Sequence, residues 1–299
     1  MIYYPSLIDC DMKKYILPLI IVVLLFMIPL QFKKKTSPKE EVTEEECEVS
    51  ITFAESNEAL PLEQYLVGVL AGEMPASFEL EALKAQAIAA RTYAIHQTNY
   101  GTSPIMQTTA HQVYKEELNS KYEKKLKRAV KETKNQILTY NGEPITAMFH
   151  AASNGQTETS ENFSGTQIAY LTTVSSPEDY TDSKSITLAQ FNQALQGNFT
   201  FGQIKQAKMT RNSTNRVETI TIGNRSWQGR EFRELLQLKS ADFSITVDQQ
   251  VHIETKGYGH GVGMSQYGAE ALAAGGKTAE EIVQYYYPNT KLEQLACSK

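Results

Sequence analysis

Glu73 occupies a position that packing alone does not explain. The segment from Pro61 to Met74 has apolar residues at helical spacing. Glu73 takes the next position on the stripe that these residues form, which consists of Leu62, Tyr65, Leu66, Val69 and Leu70. Burial and the negative end of the helix dipole would both raise the pKa of a carboxyl group there. A carboxylic acid that stays protonated near neutral pH can serve as a general acid. The alternative is that a frayed last turn lets the side chain reach water.

The next predicted helix, residues 79–96, carries long polar side chains on an otherwise small and apolar surface. Lys84 and Arg91 lie two turns apart on one face of this helix, and Gln86 and Tyr93 form a similar pair beside them. Beside a protonated Glu73, they would suit a polyhydroxylated sugar that bears a carboxylate. A solvated cationic face is the simpler interpretation of the same pattern.

Two glycine-containing segments carry further polar side chains. HAASNGQTE, residues 150–158, follows a predicted strand, and GYGHGVGMSQYG, residues 257–268, opens a predicted helix. Their candidate ligand-binding residues are His150, Ser153, Asn154, Gly155, His260 and Gln266. Backbone N–H groups at the start of a helix can hold a polar ligand group. The glycine spacing fits neither a dinucleotide motif nor a Walker motif, which argues against nucleotide binding. Taken singly, each histidine is more readily explained as a structural residue.

The elements that must position these residues indicate an α+β fold, because strands and helices intermingle without the alternation of a parallel sheet. CEVSITF alternates like a half-buried strand, and QILTYNGEPITAMFH predicts two strands joined by an Asn-Gly turn. Residues 177–240, with the strand VETITI and the helix REFRELLQL, are predicted to be an insertion or a second lobe. Thr278 and Glu281 form a capping box for a last helix that ends at Pro288.

The N-terminal region predicts a membrane anchor. Residues 15–32 form an uncharged apolar run between lysines, about long enough to span a bilayer, and no signal-peptide cleavage site follows. We therefore expect a cytoplasmic tail at 1–14, a charged linker at 33–46 and an extracytoplasmic body at 47–299. The three cysteines have neither disulfide-framework nor zinc spacing, and whether Cys47 pairs with Cys297 stays open. The net charge of −5 argues against nucleic acid as a partner.

Four segments, in this order, resemble the stage II sporulation protein D (SpoIID) family, which shares its domain with the LytB amidase enhancers: LVGVLAGEMP, EALKAQAIAARTYA, FHAASNGQTE and GHGVGMSQYGA. The resemblance extends from about Ser50 to Leu292. It implies a peptidoglycan lytic transglycosylase that cleaves MurNAc-GlcNAc β-1,4 bonds and leaves 1,6-anhydro-muramoyl ends. It also implies that Glu73 is the catalytic acid/base and that the lysine and arginine of the next helix act with it. The predicted substrate-binding residues are Lys84, Gln86, Arg91, Tyr93, His150, Ser153, Asn154, Gly155, His260 and Gln266.

The resemblance implies a setting as well. The protein would be a single-pass protein of the mother-cell septal membrane, active during engulfment in endospore formation. Its expected partners are peptidoglycan glycan strands, a membrane-anchored SpoIIP-type amidase and SpoIIM. Some family members hold zinc through a cysteine in the segment that matches HAASNGQTE. Ser153 and Asn154 stand in that place here, so neither a metal nor another cofactor is predicted.

Three alternatives to the transglycosylase remain. One is a non-enzymatic, glycan-binding activator of a cell-wall amidase. The second is a muramidase that uses water, for which a second carboxylate is usual, and Glu158 and Glu161 are the nearest candidates. The third is a structural adhesin of the sporulation septum.

Overall fold

A computed structural model describes residues 48–108 and 111–296, and this part of the chain contains nine helices and thirteen strands. The helices are α1 (Leu62–Glu73), α2 (Leu80–Gln97), α3 (Ser120–Glu132), α4 (Ser160–Ser164), α5 (Leu188–Leu195), α6 (Phe201–Lys205), α7 (Gly229–Leu235), α8 (Gln266–Ala274) and α9 (Ala279–Tyr286). The strands are β1 (Ser50–Thr52), β2 (Ala59–Pro61), β3 (Gln136–Tyr140), β4 (Glu143–Pro144), β5 (Phe149–His150), β6 (Thr181–Ile186), β7 (Lys208–Arg211), β8 (Val217–Ile222), β9 (Arg225–Gln228), β10 (Asp242–Val247), β11 (Val251–Lys256), β12 (Met264–Ser265) and β13 (Lys291–Gln294). The mixture confirms the predicted α+β class. The anchor predicted at 15–32 lies outside the described residues, among which no helix is long and apolar enough to cross a bilayer.

The strands form several small sheets rather than one large one. Four sheets are antiparallel, with the orders β1-β2, β13-β3-β4, β10-β11-β6 and β7-β8-β9. The fifth pairs β5 with β12 in parallel, with Phe149 opposite Met264 and His150 opposite Ser265. That short pairing joins two chain segments that are far apart in the sequence.

Helices α1 and α2 have nearly the predicted bounds. The residue after α1, Met74, is extended, with φ −129° and ψ 141°. This is what the proline at 75 requires of the residue before it, so the helix stops at Glu73. Every member of the predicted apolar stripe of α1 is buried. The small residues of α2 are also completely buried, which allows neighbouring chain to pack closely: Leu83, Ala87, Ala90, Ala94.

The predicted hairpin forms, but its second strand is short. Asn141 and Gly142 have the positive φ angles, 55° and 85°, that an Asn-Gly turn needs. Strand β4 contains only Glu143 and Pro144, and one more backbone hydrogen bond, from Ile145 N to Leu138 O at 3.1 Å, continues the pairing with β3. Local hydrogen bonds, from Ala147 N to the carbonyl of residue 145 and from Met148 N to that of residue 146, turn the chain away from β3. The remaining segment, predicted to continue the hairpin, becomes β5 and pairs with β12 instead.

Two groups of buried side chains form separate hydrophobic cores. The first core is built around α1, α2, α3 and α9 and includes Tyr65 and Tyr286. The second core runs from Ile186 to Ile253 and contains the single tryptophan, Trp227. Its centre is a series of aromatic rings in mutual contact: Phe191, Phe199, Trp227, Phe232, Phe243. Both cores belong to one compact unit.

Candidate functional site

Glu73 is the last residue of α1, and its side chain is half-buried. Its carboxylate oxygen Oε1 accepts a hydrogen bond from the backbone N–H of Val113 at 2.5 Å. Burial raises the pKa of Glu73, and the hydrogen bond from Val113 opposes that rise only in part. The protonated acid is therefore favoured to a higher pH than in an exposed glutamate.

Two glycines of α1 allow the chain around Val113 to reach Glu73. A Cβ atom at Gly72 would lie 2.5 Å from the carbonyl oxygen of Val113, and one at Gly68 would lie 2.2 Å from the ring of Tyr114. The N–H of Lys115 donates to the carbonyl oxygen of Gly68 at 3.1 Å. Residues 112–115 can thus lie directly against the helix. The Gly-x-x-x-Gly spacing in LVGVLAGE was the sequence signal for this contact, but nothing local in the sequence identified its partner segment.

Two tyrosine hydroxyls lie close enough to Glu73 to interact with its charge. Tyr65 is completely buried, and its hydroxyl donates to Oε1 of Gln112 at 2.9 Å. Burial raises the pKa of Tyr65, and the negative charge of Glu73 raises it further. The pKa of the half-buried Tyr93 of α2 is raised in the same way, mainly by burial and further by the negative charge of Glu73. Glu73 therefore lies beside two neutral phenols, of which Tyr93 is the one with solvent access.

The two cations predicted to contact a glycan have partners within the protein. Lys84 Nζ lies 2.7 Å from Glu81 and 2.6 Å from Glu132, and its side chain is only 17% exposed. Arg91 is completely buried and binds Glu63 through Nε and Nη2 at 2.8 and 2.6 Å. The two residues do share a face, as predicted, but that face packs against α1 and α3. The structure leaves Arg91 no surface for a glycan, so its prediction as a substrate-binding residue is replaced by a structural role.

Gln86 and Gln266 come from separate sequence motifs and meet inside the protein. Gln266 Nε2 donates to Gln86 Oε1 at 3.5 Å, and both side chains are buried. Gln86 Nε2 has no hydrogen-bond partner in the structure. Because Gln86 and Tyr93 share a face of α2, this amide pair lies two turns from the phenol beside Glu73.

The two glycine-containing segments run side by side. Beyond the β5–β12 pairing, the N–H of residue 158 donates to the carbonyl oxygen of Gly261, and residues 152 and 258 exchange two backbone hydrogen bonds. Glu178 joins the segments further, accepting from Ser153 N at 2.7 Å and from Ser265 Oγ at 2.5 Å. This role could not be predicted from the sequence, because Glu178 lies outside both motifs.

Several predicted ligand-binding residues in these segments are buried or engaged. Ser153 is completely buried, and Asn154 donates to Thr214 O at 3.0 Å and to Asp242 Oδ2 at 2.8 Å. Gly155 has φ +94° in an open turn that borders a shallow cavity. Asn154 thereby connects its segment to the second core, and a direct contact of Ser153 with a glycan would require rearrangement.

His150 and His260 face each other, with ring centroids 5.7 Å apart. Burial lowers the pKa of His150 well below its usual value, and nearby positive charges lower it further. Burial and then Arg233 lower the pKa of His260 to about 4. Both imidazoles are therefore neutral at physiological pH. Among residues 48–108 and 111–296, no three metal-ligating side chains come together.

The candidate second acids differ from Glu73. Glu158 is buried, and its carboxylate accepts four hydrogen bonds, all at 2.8 Å: from Thr159 N, Asn162 Nδ2, Thr214 Oγ1 and Asn212 Nδ2. A carboxylate with this many hydrogen bonds has a structural role and has little capacity to activate water. Glu161 is exposed in the first turn of the short helix α4.

A row of aromatic rings lies near the start of α8. The exposed Tyr267 packs edge-on against Phe78, with centroids 5.1 Å apart, and lies 5.9 Å from Tyr180. Tyr180 lies 5.9 Å from the exposed Tyr258. Phe78 belongs to the turn that follows Glu73. The row therefore starts close in sequence to the candidate acid and presents rings to solvent.

Fold and site together define a class of mixed α+β proteins in which a candidate acid ends a buried helix and two distant glycine-containing segments lie side by side. The family described as stage II sporulation protein (SpoIID) matches residues 53–140. The chain is 41% identical over 266 residues to stage II sporulation protein D of Bacillus subtilis (strain 168), covering 81% of this chain and 77% of that protein. It is 39% identical over 284 residues to stage II sporulation protein D of Bacillus amyloliquefaciens, covering 85% and 81%.

The chain therefore belongs to the stage II sporulation protein D family, as its four motifs predicted. It is also 32% identical over 287 residues to a protein named amidase enhancer from Bacillus subtilis (strain 168). That match covers 76% of this chain and 40% of the amidase enhancer.

Proposed function

We propose that this protein is a lytic transglycosylase that cleaves the MurNAc-GlcNAc β-1,4 bonds of peptidoglycan strands from which stem peptides have been removed. The observation that carries the proposal is the half-buried carboxyl group of Glu73, whose pKa is raised by burial at the end of α1. Such a group can give its proton to the glycosidic oxygen. As a carboxylate, it can then take the proton of the sugar's own 6-hydroxyl group, whose oxygen attacks the anomeric carbon.

This route has balanced chemistry with a single carboxyl group. The bond from the anomeric carbon to the leaving oxygen breaks, the bond to the 6-oxygen forms, and Glu73 ends in the protonation state in which it began. No water is consumed, so a second carboxylate is not required. The full engagement of Glu158 is consistent with this route and disfavours a muramidase, which usually needs a pair of carboxyl groups.

Aromatic side chains of the other motifs also suit a carbohydrate. Tyr93 presents a neutral hydroxyl beside the acid, and the exposed rings of Tyr267 and Tyr258 offer apolar faces against which sugar rings can pack. Membership of a sporulation protein family supports a role for the protein in sporulation. We further propose action at the mother-cell septal membrane during engulfment, with an N-terminal anchor, a SpoIIP-type amidase and SpoIIM as partners.

The test is mass analysis of the products from stripped glycan strands. We expect fragments one water lighter than hydrolytic products, and we expect Glu73→Gln to lower the cleavage rate by about 10²- to 10⁴-fold. The Gln side chain keeps an oxygen to accept from Val113 N, so this variant should fold. Glu143→Gln, which changes an exposed glutamate in the hairpin, is the matched control. Ordinary reducing ends, or full activity of Glu73→Gln, would contradict the proposal.

A second candidate function is activation of a wall amidase without cleavage of the glycan. The relative named amidase enhancer favours it. Under this alternative, the protein would bind stripped strands without shortening them. Adding it to an amidase would raise the amidase rate equally with wild-type Glu73 and with Glu73→Gln.

A further inference from the structure

A cavity of about 260 Å³ lies apart from the contacts that surround Glu73. One side is formed by Phe163 of α4 and by His260 of the glycine-containing loop. The other side belongs to the second core and includes Arg216 and two arginines of α7, Arg230 and Arg233. We refer to it as the arginine cavity. Of the residues that line it, the catalytic proposal above mentions only Glu158, to which it gives no catalytic role.

Three arginines and two carboxylates, Glu158 and Glu218, line the arginine cavity, so its charges are largely balanced and its free capacity lies in an unpaired guanidinium N–H group. Arg216 is 6% exposed and lies 3.8 Å from Glu158, and its Nη2 donates to the carbonyl oxygen of Gln156. Its buried Nη1 has no hydrogen-bond partner in the structure. Arg233 donates from Nε to the carbonyl oxygen of Leu238 at 3.2 Å and, among the described residues, forms no ion pair with a carboxylate.

The third arginine extends this surface. The guanidinium of Arg230 lies 4.6 Å over the ring of Phe163, and its Nε contacts Glu234 at 3.1 Å. Glu158 offsets part of the positive charge, but its two oxygens already accept four hydrogen bonds and its contact with Arg216 is long, at 3.8 Å. All three guanidinium groups act on His260, lowering its pKa, so this histidine stays neutral and adds no charge.

A buried guanidinium N–H without a partner is costly to keep, and a guanidinium binds a carboxylate with paired hydrogen bonds. We propose that the arginine cavity is a carboxylate-binding site that receives the carboxylated side chain of a muramic-type sugar. The volume suits a group of about one sugar residue, the ring of Phe163 offers an apolar face, and the amides of Asn162 and Asn212 line the same wall. The choice of a sugar rests on the proposed function, whereas the choice of a carboxylate rests on the cavity alone.

The proposal gives the site a selective role. A muramic sugar whose stem peptide has been removed carries a free carboxylate on its lactyl group, whereas a substituted one carries an amide without charge. The free carboxylate can accept paired, charge-assisted hydrogen bonds from the guanidinium groups of Arg216 and Arg233, whereas the amide cannot, so the cavity should bind the first more tightly. The arginine cavity would thus recognise stripped strands at a place separate from the bond that is cleaved.

The test is calorimetric titration of the full-length chain, held in mild detergent, with single small probes. N-acetylmuramic acid is the carboxylated sugar, and N-acetylglucosamine is the matched sugar without the lactyl group. D-alanyl-D-alanine supplies a carboxylate from a peptide instead. We expect N-acetylmuramic acid to bind and N-acetylglucosamine to bind at least tenfold more weakly. Binding of the dipeptide but not of the acidic sugar would overturn the sugar assignment.

Two variants locate the binding. Arg233→Gln and Arg230→Gln should each raise the Kd for N-acetylmuramic acid, by tenfold or more at the half-buried Arg233 and by less at the exposed Arg230. Arg128→Gln, at an exposed arginine of α3, is the matched control. If Arg233→Gln proves unstable, Arg230→Gln alone still decides, because its side chain lies on the surface. Unchanged binding in Arg230→Gln and in a folded Arg233→Gln, or equal binding of both sugars, would refute the site.

The outcome can be separated from that of the proposed catalysis. N-acetylmuramic acid has no bond for the enzyme to cleave, and Glu73→Gln should bind it with the wild-type Kd. If the wild-type protein binds N-acetylmuramic acid but does not cleave stripped glycan strands, the transglycosylase proposal fails and the carboxylate site stands.

Discussion

At the scale of single residues, the environment of Glu73 has a consequence for stability that does not depend on any substrate. Its side chain is half-buried, and burial raises the pKa of its carboxyl group. The unfolded chain therefore releases this proton at a lower pH than the folded protein does. Between those two pKa values the folded state binds more protons, so this group makes the free energy of unfolding fall as pH rises.

We accordingly expect Glu73→Gln to stabilise the protein at pH 7. The neutral side chain removes the cost of an ionised carboxylate near Tyr65 and Tyr93. Below the unfolded value of about 4.5 the wild-type carboxyl group is protonated in both states, and the difference should vanish there. Thermal unfolding midpoints from pH 4 to pH 8 would measure this, with Glu143→Gln as control. A midpoint difference that does not change with pH would contradict the raised pKa.

Arg91 offers a second prediction at this scale. Removing one partner of a buried, bidentate ion pair leaves the other without compensation, which costs about 3–5 kcal/mol. Since Glu63 keeps 27% of its side chain exposed, we expect Arg91→Ala to lower the free energy of unfolding by about 3 kcal/mol, near the lower end of that range.

Urea denaturation would measure the Arg91→Ala effect. In the control Arg128→Ala, which breaks an exposed pair on α3, we expect a loss of about 0.5 kcal/mol. A stable Arg91→Ala protein with weakened glycan binding would restore the substrate-binding role that the sequence suggested.

At the scale of elements, local patterns predicted α1, α2, the hairpin turn and α9. Each has a local physical signal: the apolar stripe and the proline at 75, the Asn141-Gly142 turn, and the Thr278 capping box. The helix α3 was not predicted. Its sequence SKYEKKLKRAVKE is strongly charged, and only Leu126, Ala129 and Val130 are buried. Strand β6, TDSKSI, likewise has little apolar alternation, and its pairing with β11 was not expected.

The part of the site that could be predicted from the sequence is the part that depends on a single residue and its own helix. The position of Glu73 on a buried stripe pointed to a raised pKa, and the structure agrees. Its partner Val113 could not be predicted, because the contact joins residues 40 positions apart and uses a backbone N–H that every residue other than proline has. The engagement of Lys84 and Arg91 within the protein could not be predicted, because spacing shows which residues share a face but not what covers it.

The glycines of α1 give a prediction for an element. In Gly72→Ala the added Cβ would meet the carbonyl oxygen of Val113 at 2.5 Å and push residues 112–115 away from the helix. We expect a tenfold or greater loss of cleavage, because the hydrogen bond to Glu73 is displaced. Overpacking should cost about 1–3 kcal/mol, offset in part by the better helix propensity of alanine.

The matched control is Gly202→Ala, in the short helix α6, where the nearest atom to the added Cβ would be Thr200 Oγ1 at 3.8 Å. It should leave the cleavage rate unchanged. Cleavage rates and thermal midpoints of both variants would be compared. Wild-type cleavage in a folded Gly72→Ala protein would show that the contact with residues 112–115 is not needed for activity.

At the scale of the whole molecule, the four motifs are not four independent sites. The first two form the packed pair α1 and α2, and the last two run side by side through β5 and β12. The amides of Gln86 and Gln266 join the second motif to the fourth. Motifs that are far apart in the sequence therefore lie together in the fold, and each forms part of one packed unit. The second core is attached to that unit through Asn154, a member of the third motif.

This attachment should make the two cores unfold together. Asn154 donates two hydrogen bonds across the junction, to Thr214 O and Asp242 Oδ2. Asn154→Ala removes both, at a cost of about 1–3 kcal/mol, although Asp242 keeps its bonds from Arg211 and Asn215. Trp227 reports the second core, and far-ultraviolet circular dichroism reports the helices, most of which pack in the first. In the wild type we expect the two signals to give one urea midpoint, as a two-state transition requires.

In Asn154→Ala the two midpoints should separate, whereas in Asn224→Ala, at an exposed turn residue between β8 and β9, they should stay together. Coincident midpoints in Asn154→Ala would mean that the remaining contacts, with Glu158 and Arg216 among them, are enough to couple the two cores.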